Sequence, residues 1–311
     1  MTNPKLSIIY DITKRCPWGC KICCMGATSD EAVLHDELSQ ERKLMLMDEI
    51  FEVNKTREVY IDFSGGEIMT NFDNLAVVEK IAGLIGREHI GISCSGYKIN
   101  EAVAERLSNC VSECEMTMDV PPGTAYKLRP TGYAEAAAKA IPYLKKHGIQ
   151  VGIQTVLANA NCNAATFEAL YDFMCAHKVD NWSILRFYPS GRGKDFHEEC
   201  VEIKNELCAV NYIRKLDEEN LSPDKPDIDF HYTMHGHPKH SDVCRCVRKS
   251  IGIMPNGDVT ACFWAVDADT GIIAPKYMLG SLKTQTLPEI LSGDRANYWT
   301  SCEHSCELLS A

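Results

Sequence analysis

The chain contains no uninterrupted apolar run approaching eighteen residues, and its N-terminus, MTNPKLSIIYDITKRC, has no basic stretch followed by a hydrophobic one. The first absence argues against a membrane-spanning helix and the second against export, so a soluble, cytoplasmic protein with reduced thiols is expected. Positive charge is in deficit too: 32 Lys and Arg against 43 Asp and Glu give a formal net charge of -11. A bare nucleic-acid binder ordinarily presents a basic face, so neither nucleic acid nor membrane is an expected partner. Internal repeats and low-complexity tracts are missing as well, which sets aside solenoid and linker-dominated architectures.

Cysteine, by contrast, is abundant, with 16 in 311 residues. A chain of this length with 45% hydrophobic residues can bury a sizeable core without disulfide staples. In a reducing compartment that many thiols point to metal or redox chemistry.

Six β-branched or apolar runs, at Leu6 to Tyr10, Glu58 to Phe63, Ile90 to Cys94, Glu115 to Met118, Val151 to Leu157 and Trp182 to Tyr188, alternate with stretches of helical periodicity. The alternation predicts an α/β fold with a parallel sheet and outer helices, either an open doubly wound sheet or a partial barrel. In both, ligands gather at the C-terminal strand ends. Pro223, Pro226 and Pro238 predict a linker or irregular crossing at about residues 220–242. Beyond it SIGIMPNGDVTACFWA reads as a hairpin turning at Asn256-Gly257.

Directly after the first run lies RCPWGCKICC, with Cys16, Cys20 and Cys23 in a Cys-x3-Cys-x2-Cys spacing. Structural zinc takes four protein ligands and catalytic zinc three, often with histidine. Three thiols in one short loop can instead wrap a corner of a cubane cluster, leaving the fourth iron open. Behind the second run comes FSGGEIM, where glycines permit close main-chain approach and Glu67 can accept from an ammonium.

Together these motifs resemble the radical S-adenosylmethionine (SAM) enzymes. The resemblance implies a partial (β/α)6 TIM-like barrel in which Cys16, Cys20 and Cys23 hold a 4Fe-4S cluster and SAM binds the open iron. One electron then yields a 5'-deoxyadenosyl radical that abstracts a substrate hydrogen. By the same resemblance Gly65, Gly66 and Glu67 meet the SAM amino group, Ser95 of ISCSGY the ribose, and Arg129 of YKLRPTG the carboxylate. Ile22 stands where the family usually has an aromatic residue, so adenine packing falls to it or to Trp18. Ile68 replaces a frequent proline.

The tail carries Cys244, Cys246, Cys262, Cys302 and Cys306 around NGDVTAC. This resembles the SPASM and shorter Twitch domains, a β-hairpin plus helix module. The resemblance implies one auxiliary 4Fe-4S cluster on Cys262, Cys302, Cys306 and either Cys244 or Cys246, with Cys244 favoured; the spacing alone would also suit a four-thiol zinc knot. The expected domains are residues 1–218 and 219–311.

Cys246, Cys24 and Cys94 are either buried thiols or hydrogen donors near substrate. Asp119 and Gln154 are polar groups that could point inward, and Arg186, Tyr188 and Arg192 could face substrate. The histidines of HYTMHGHPKH, His231, His235, His237 and His240, read as loop residues.

Two substrate classes remain open. The resemblance implies a maturase that cross-links, oxidises or epimerises a ribosomally made peptide, or a dehydrogenase of an aminocyclitol or sugar alcohol with the auxiliary cluster as electron acceptor. A flavodoxin- or ferredoxin-like reductant is expected. Since the first strand begins at residue 6, peptide recognition would fall to a separate protein, or to none. A regulator without enzymatic activity is disfavoured by the GGE stretch, which a sensor does not need.

Overall fold

β1 (Leu6–Thr13), β2 (Val59–Gly65), β3 (Ile90–Cys94), β4 (Glu113–Thr117), β5 (Gln150–Leu157) and β6 (Asn181–Arg186) occupy the six expected runs. They pair in parallel in sequence order, as strands joined by crossover helices do. The computed structural model describes residues 5–235, 244–265 and 273–301.

Each strand turns one set of alternate side chains toward the helices and the other toward the barrel lumen. On β1 the helix-facing set, Leu6, Ile8, Tyr10 and Ile12, is fully buried. Against it packs the helix Gln40–Asn54, whose Leu46, Met47 and Ile50 are likewise fully buried. Each such side chain contributes about 1.5–3 kcal/mol on burial, so apolar packing rather than helix propensity holds the outer layer. Ser39, Asn100 and Asn163 cap the helices Gln40–Asn54, Glu101–Ser108 and Ala164–Ala176 by accepting from main-chain N–H groups of the first turn.

The sheet continues beyond the six strands at both edges. β7 (Asp227–Phe230) adds in parallel to β6, so part of the stretch expected to be an irregular linker is strand. The prolines lie outside these four residues, which is why composition hid it. On the other side β8 (Ser250–Ile253) runs parallel to β1, and β9 (Asp258–Thr260) and β10 (Met278–Ser281) follow antiparallel. The β8–β9 connection turns at Asn256-Gly257 as expected, with Gly257 at a φ of 88°. One ten-stranded sheet therefore spans the expected boundary at residues 218 and 219.

The first crossover helix anchors the C-terminal strands. Arg42 donates from Nε to the Leu282 carbonyl at 2.8 Å and pairs with Glu49 at 3.0 Å. Glu49 in turn accepts from the Leu287 N–H at 2.8 Å. Arg57, at the end of that crossover, donates to the Val247 and Arg248 carbonyls. Among the described residues no helix is long and apolar enough to cross a membrane.

Candidate active site

The loop after β1 carries Cys16, Cys20 and Cys23, all lining a cavity of about 450 Å³ at the C-terminal strand ends. Its shape is fixed by main chain: the Cys16 N–H donates to Thr28 O at 2.9 Å, Cys23 N–H to Cys20 O at 3.4 Å and Gly26 N–H to Cys23 O at 3.2 Å. The Ala27 N–H points at the Cys23 sulfur, 3.3 Å away.

A strap after β6 clamps this loop. The Arg192 N–H donates to Cys23 O at 3.0 Å, its Nε to Cys20 O at 2.9 Å and its Nη1 to Ala27 O. Gly191, at a φ of 55°, passes so close that a Cβ would collide with the Cys23 and Cys24 carbonyls. Arg192 thus holds the cysteine loop, a role the sequence did not reveal because its partners are carbonyls more than 160 residues away.

Gly65 and Gly66 reach the loop from β2. The Gly66 N–H donates to Thr13 O at 2.7 Å and the Glu67 N–H to Arg15 O at 2.8 Å. A Cβ on Gly66 would strike the Arg15 carbonyl, so this glycine serves approach to the cysteine loop. Both glycines line the cavity with their main chain. The Glu67 carboxylate is buried and occupied by the protein: it accepts from Met69 N–H at 3.1 Å, from Ser95 N–H at 2.9 Å and from the Ser95 hydroxyl. Burial raises its pKa, and the Ser95 and Met69 hydrogen bonds oppose that shift.

Ser95 also accepts from the Trp18 indole N–H at 2.8 Å, and both line the cavity. The Trp18 ring meets Tyr133 edge-on, with centroids 5.2 Å apart. Ile22 sits on the same wall, buried with Leu128 and Phe187. Arg129 faces the cavity and lies 4.8 Å from the Tyr133 ring centroid, with its Nε on Asp119 at 2.6 Å. Asp119 does not line this cavity. One of its oxygens takes Arg129 and the other the Val156 N–H at 2.9 Å, so the inward group expected there orients Arg129 instead.

On the far wall Tyr188 lines the cavity beside Trp264, with centroids 6.2 Å apart, and Arg186 stacks on it. Cys24, Cys94, Gln154 and His231 reach the lining as well, Cys94 with its sulfur 3.7 Å from that of Cys114. Cys246 does not. It is buried, and its thiol interacts with those of Cys244 and Cys262 rather than lining the cavity. Cys302, Cys306, His237 and His240 lie outside the described residues. His235 donates its N–H to the buried Glu206 at 2.6 Å, away from the cavity.

The donor set fits an iron-sulfur cluster. Burial pushes the Cys16 thiol up to about 12 and raises Cys20 as well, so a multivalent cation among them is what would make them thiolates. Among the described residues no three side chains of the ligating types are placed to hold a single metal ion. Thiols spread around a loop suit separate irons of a cubane better than one zinc. Four acidic groups also line the cavity, Asp11, Asp62, Glu115 and Asp229, and the polar alternation in YIDFS, CEMT and DIDF is a sequence signal for the last three.

A partial parallel barrel with three clustered thiols at its mouth defines an iron-sulfur enzyme. A family model described as Radical SAM superfamily matches residues 10–174, and one described as SPASM, iron-sulfur cluster-binding domain, matches residues 244–307. The chain belongs to the radical SAM superfamily.

Among solved structures it is similar to Streptococcus suis SuiB bound to S-adenosylmethionine, at 13% identity and a TM-score of 0.74 over 99% of this chain and 74% of that one. SuiB bound to the precursor peptide SuiA aligns at 15% identity and a TM-score of 0.73, over 99% and 73%. Native anSMEcpe with bound AdoMet aligns at 15% identity and 0.67, over 94% and 83%. At such identities the likeness is one of fold. No curated protein sequence matches.

The cofactors of this enzyme are SAM and two 4Fe-4S clusters. When bound, they supply reductive cleavage of SAM and abstraction of a hydrogen atom from substrate.

Proposed function

We propose that this enzyme modifies a ribosomally made peptide by hydrogen abstraction, giving a cross-link, an oxidation or an epimerised residue. The observation that carries this reading is the form of the substrate space. The cavity under the cysteine loop adjoins a second one of about 380 Å³, and Cys24, Met25, Phe263 and Trp264 line both. The second runs between the loop after β1, at Lys14, Asp36 and Glu37, and the β8–β9 turn, at Pro255 and Asn256. In this reading the cluster and SAM take part of the first chamber, and the second continues it toward the β8–β9 turn, which gives an extended chain room to pass the reacting centre. The likeness in fold to SuiB with SuiA, and to anSMEcpe with the Cp18Cys peptide, supports the same reading.

In this proposal Cys16, Cys20 and Cys23 hold the first cluster. SAM lies against Gly65, Gly66, Ser95, Arg129, Ile22 and Trp18, with Glu67 setting the strand end that carries the glycines. Tyr188 and Trp264 form the wall that substrate touches. Residues 219–311 form the auxiliary-cluster unit, with Cys262, Cys302, Cys306 and Cys244 as ligands and Cys246 beside them. A flavodoxin- or ferredoxin-like protein delivers the electron.

The test supplies the reconstituted enzyme with SAM, a strong reductant and synthetic peptides deuterated at one residue type each. Deuterium in 5'-deoxyadenosine, read by mass spectrometry, is expected from at least one peptide. Transfer from a deuterated aminocyclitol and from no peptide would overturn the proposal.

A further inference from the structure

The lumen of the barrel is acidic below the cysteine loop. Asp11 of β1, Asp62 of β2 and Glu115 of β4 line the cavity from lumen-facing positions, and Asp229 of β7 lines it from the open edge. Asp11 is 1% exposed, with one carboxylate oxygen accepting from the Ser64 hydroxyl at 2.6 Å. Its other oxygen is buried and has no hydrogen-bond partner. Asp62 accepts from Ser93 at 2.9 Å, and Glu115 from the Gln154 amide.

Among the described residues no lysine or arginine forms an ion pair with Asp11, Asp62 or Glu115. The cavity's arginines are committed elsewhere: Arg129 to Asp119 at 2.6 Å, Arg186 toward Glu206 at 3.9 Å, and Arg192 to the cysteine-loop carbonyls. His231, at the rim, meets the Thr233 hydroxyl at 2.7 Å. A buried carboxylate oxygen without a partner is costly in a native protein, and the neighbouring carboxyls of Asp62 and Glu115 add negative charge beside it.

We infer that this lumen is a subsite for a cationic substrate group, the ammonium or guanidinium of a lysine or arginine side chain in the peptide. The inference rests on the peptide reading above for its source, and on the lumen alone for its charge. A long aliphatic stem ending in a cation matches a polar floor reached past the apolar upper wall of Ile22, Val156, Leu185 and Phe187. A divalent metal does not match, since no three of these carboxylates are placed to hold one. Burial, with mutual repulsion among Asp11, Asp62, Glu113, Glu115 and Asp229, raises the pKa of Asp11 and Glu115 to about 7 and that of Asp62 to about 6. An arriving cation would relieve that repulsion.

The experiment uses the full chain with both clusters reconstituted anaerobically and SAM present. Calorimetry measures binding of a blocked tripeptide with central lysine, its norleucine counterpart, and pentane-1,5-diamine. The lysine peptide is expected to bind at least about tenfold more tightly than the norleucine peptide. In the double variant Asp62→Asn and Glu115→Gln that preference disappears, with circular dichroism and iron content reporting that the variant is folded. Measurable and equal affinity of the lysine and norleucine peptides for the wild type would overturn the inference, whether or not the variant folds, as would absence of binding by both peptides and by the diamine. So would an unchanged preference in a folded variant. Binding of the diamine, lost in the double variant, without binding of either peptide would uphold the cationic subsite and sink the peptide reading.

Discussion

Replacing Arg192 with alanine tests whether the strap after β6 is what keeps the cysteine loop closed. The substitution removes the side-chain bonds to Cys20 O and Ala27 O and spares the main-chain bond from residue 192 to Cys23 O. Hydrogen bonds from a charged donor are worth about 1.5–3 kcal/mol each, so closure loses about 3–6 kcal/mol. At 1.4 kcal/mol per decade, even the lower figure raises the open population by about a hundredfold.

Limited trypsin digestion of the metal-free chain reads this directly. Lys21 lies in the loop with its N–H on Leu128 O at 3.0 Å, and its peptide bond becomes cleavable only when the loop opens. Cleavage after Lys21 should accelerate by about two orders of magnitude when opening is fast relative to cutting. After reconstitution and gel filtration the variant should retain less iron, with the loss confined to the first cluster. Arg192→Lys should fall between, because an ammonium lacks the fork that reaches two carbonyls. Cleavage within about twofold of wild type, together with undiminished iron, would refute the reasoning.

Alanine at Cys16, Cys20 and Cys23 together should take the chain from about eight irons to about four and abolish 5'-deoxyadenosine formation, as measured by iron assay and chromatography; formation at the wild-type rate would remove these thiols from the reaction. Gly66→Ala sets a methyl group into the Arg15 carbonyl and should destabilise the fold by about 1–3 kcal/mol, seen as a lower denaturation midpoint in the metal-free chain. The raised pKa values of Asp11, Asp62 and Glu115 mean that the folded chain binds more protons than the unfolded one between about pH 4 and 7. Their contribution to stability is therefore complete below the ordinary carboxylate range and is lost as pH rises through 6 to 7. Thermal melts of the metal-free chain should show this decline weakened in the Asp62→Asn, Glu115→Gln double variant; an identical pH profile would contradict it.

The six barrel strands and the hairpin at Asn256-Gly257 were legible because alternation, periodicity and a glycine turn are local properties of the chain. So was the cysteine loop: its three thiols lie close in sequence, and nothing distant is needed to bring them together. The GGE stretch was legible as a motif, although its parts divide differently in space. Gly66 gives room to the Arg15 carbonyl, and the Glu67 carboxylate turns inward to Met69 and Ser95.

Only the tertiary structure decided the rest, because the partners are remote in sequence. β7 was hidden among prolines until β6 supplied its hydrogen-bond edge. Asp119 came to orient Arg129, and Cys246 to sit with Cys244 and Cys262, through the conformation of the loops that flank the strands, which residue spacing does not specify. Arg192 became a clamp by finding carbonyls on the far side of the barrel mouth. Asp11, Asp62 and Glu115 look like unremarkable polar residues on three strands until the sheet curls and turns them toward one lumen. Sequence determined which elements form and which thiols gather in one loop; the curvature of the sheet determined which charges face one another.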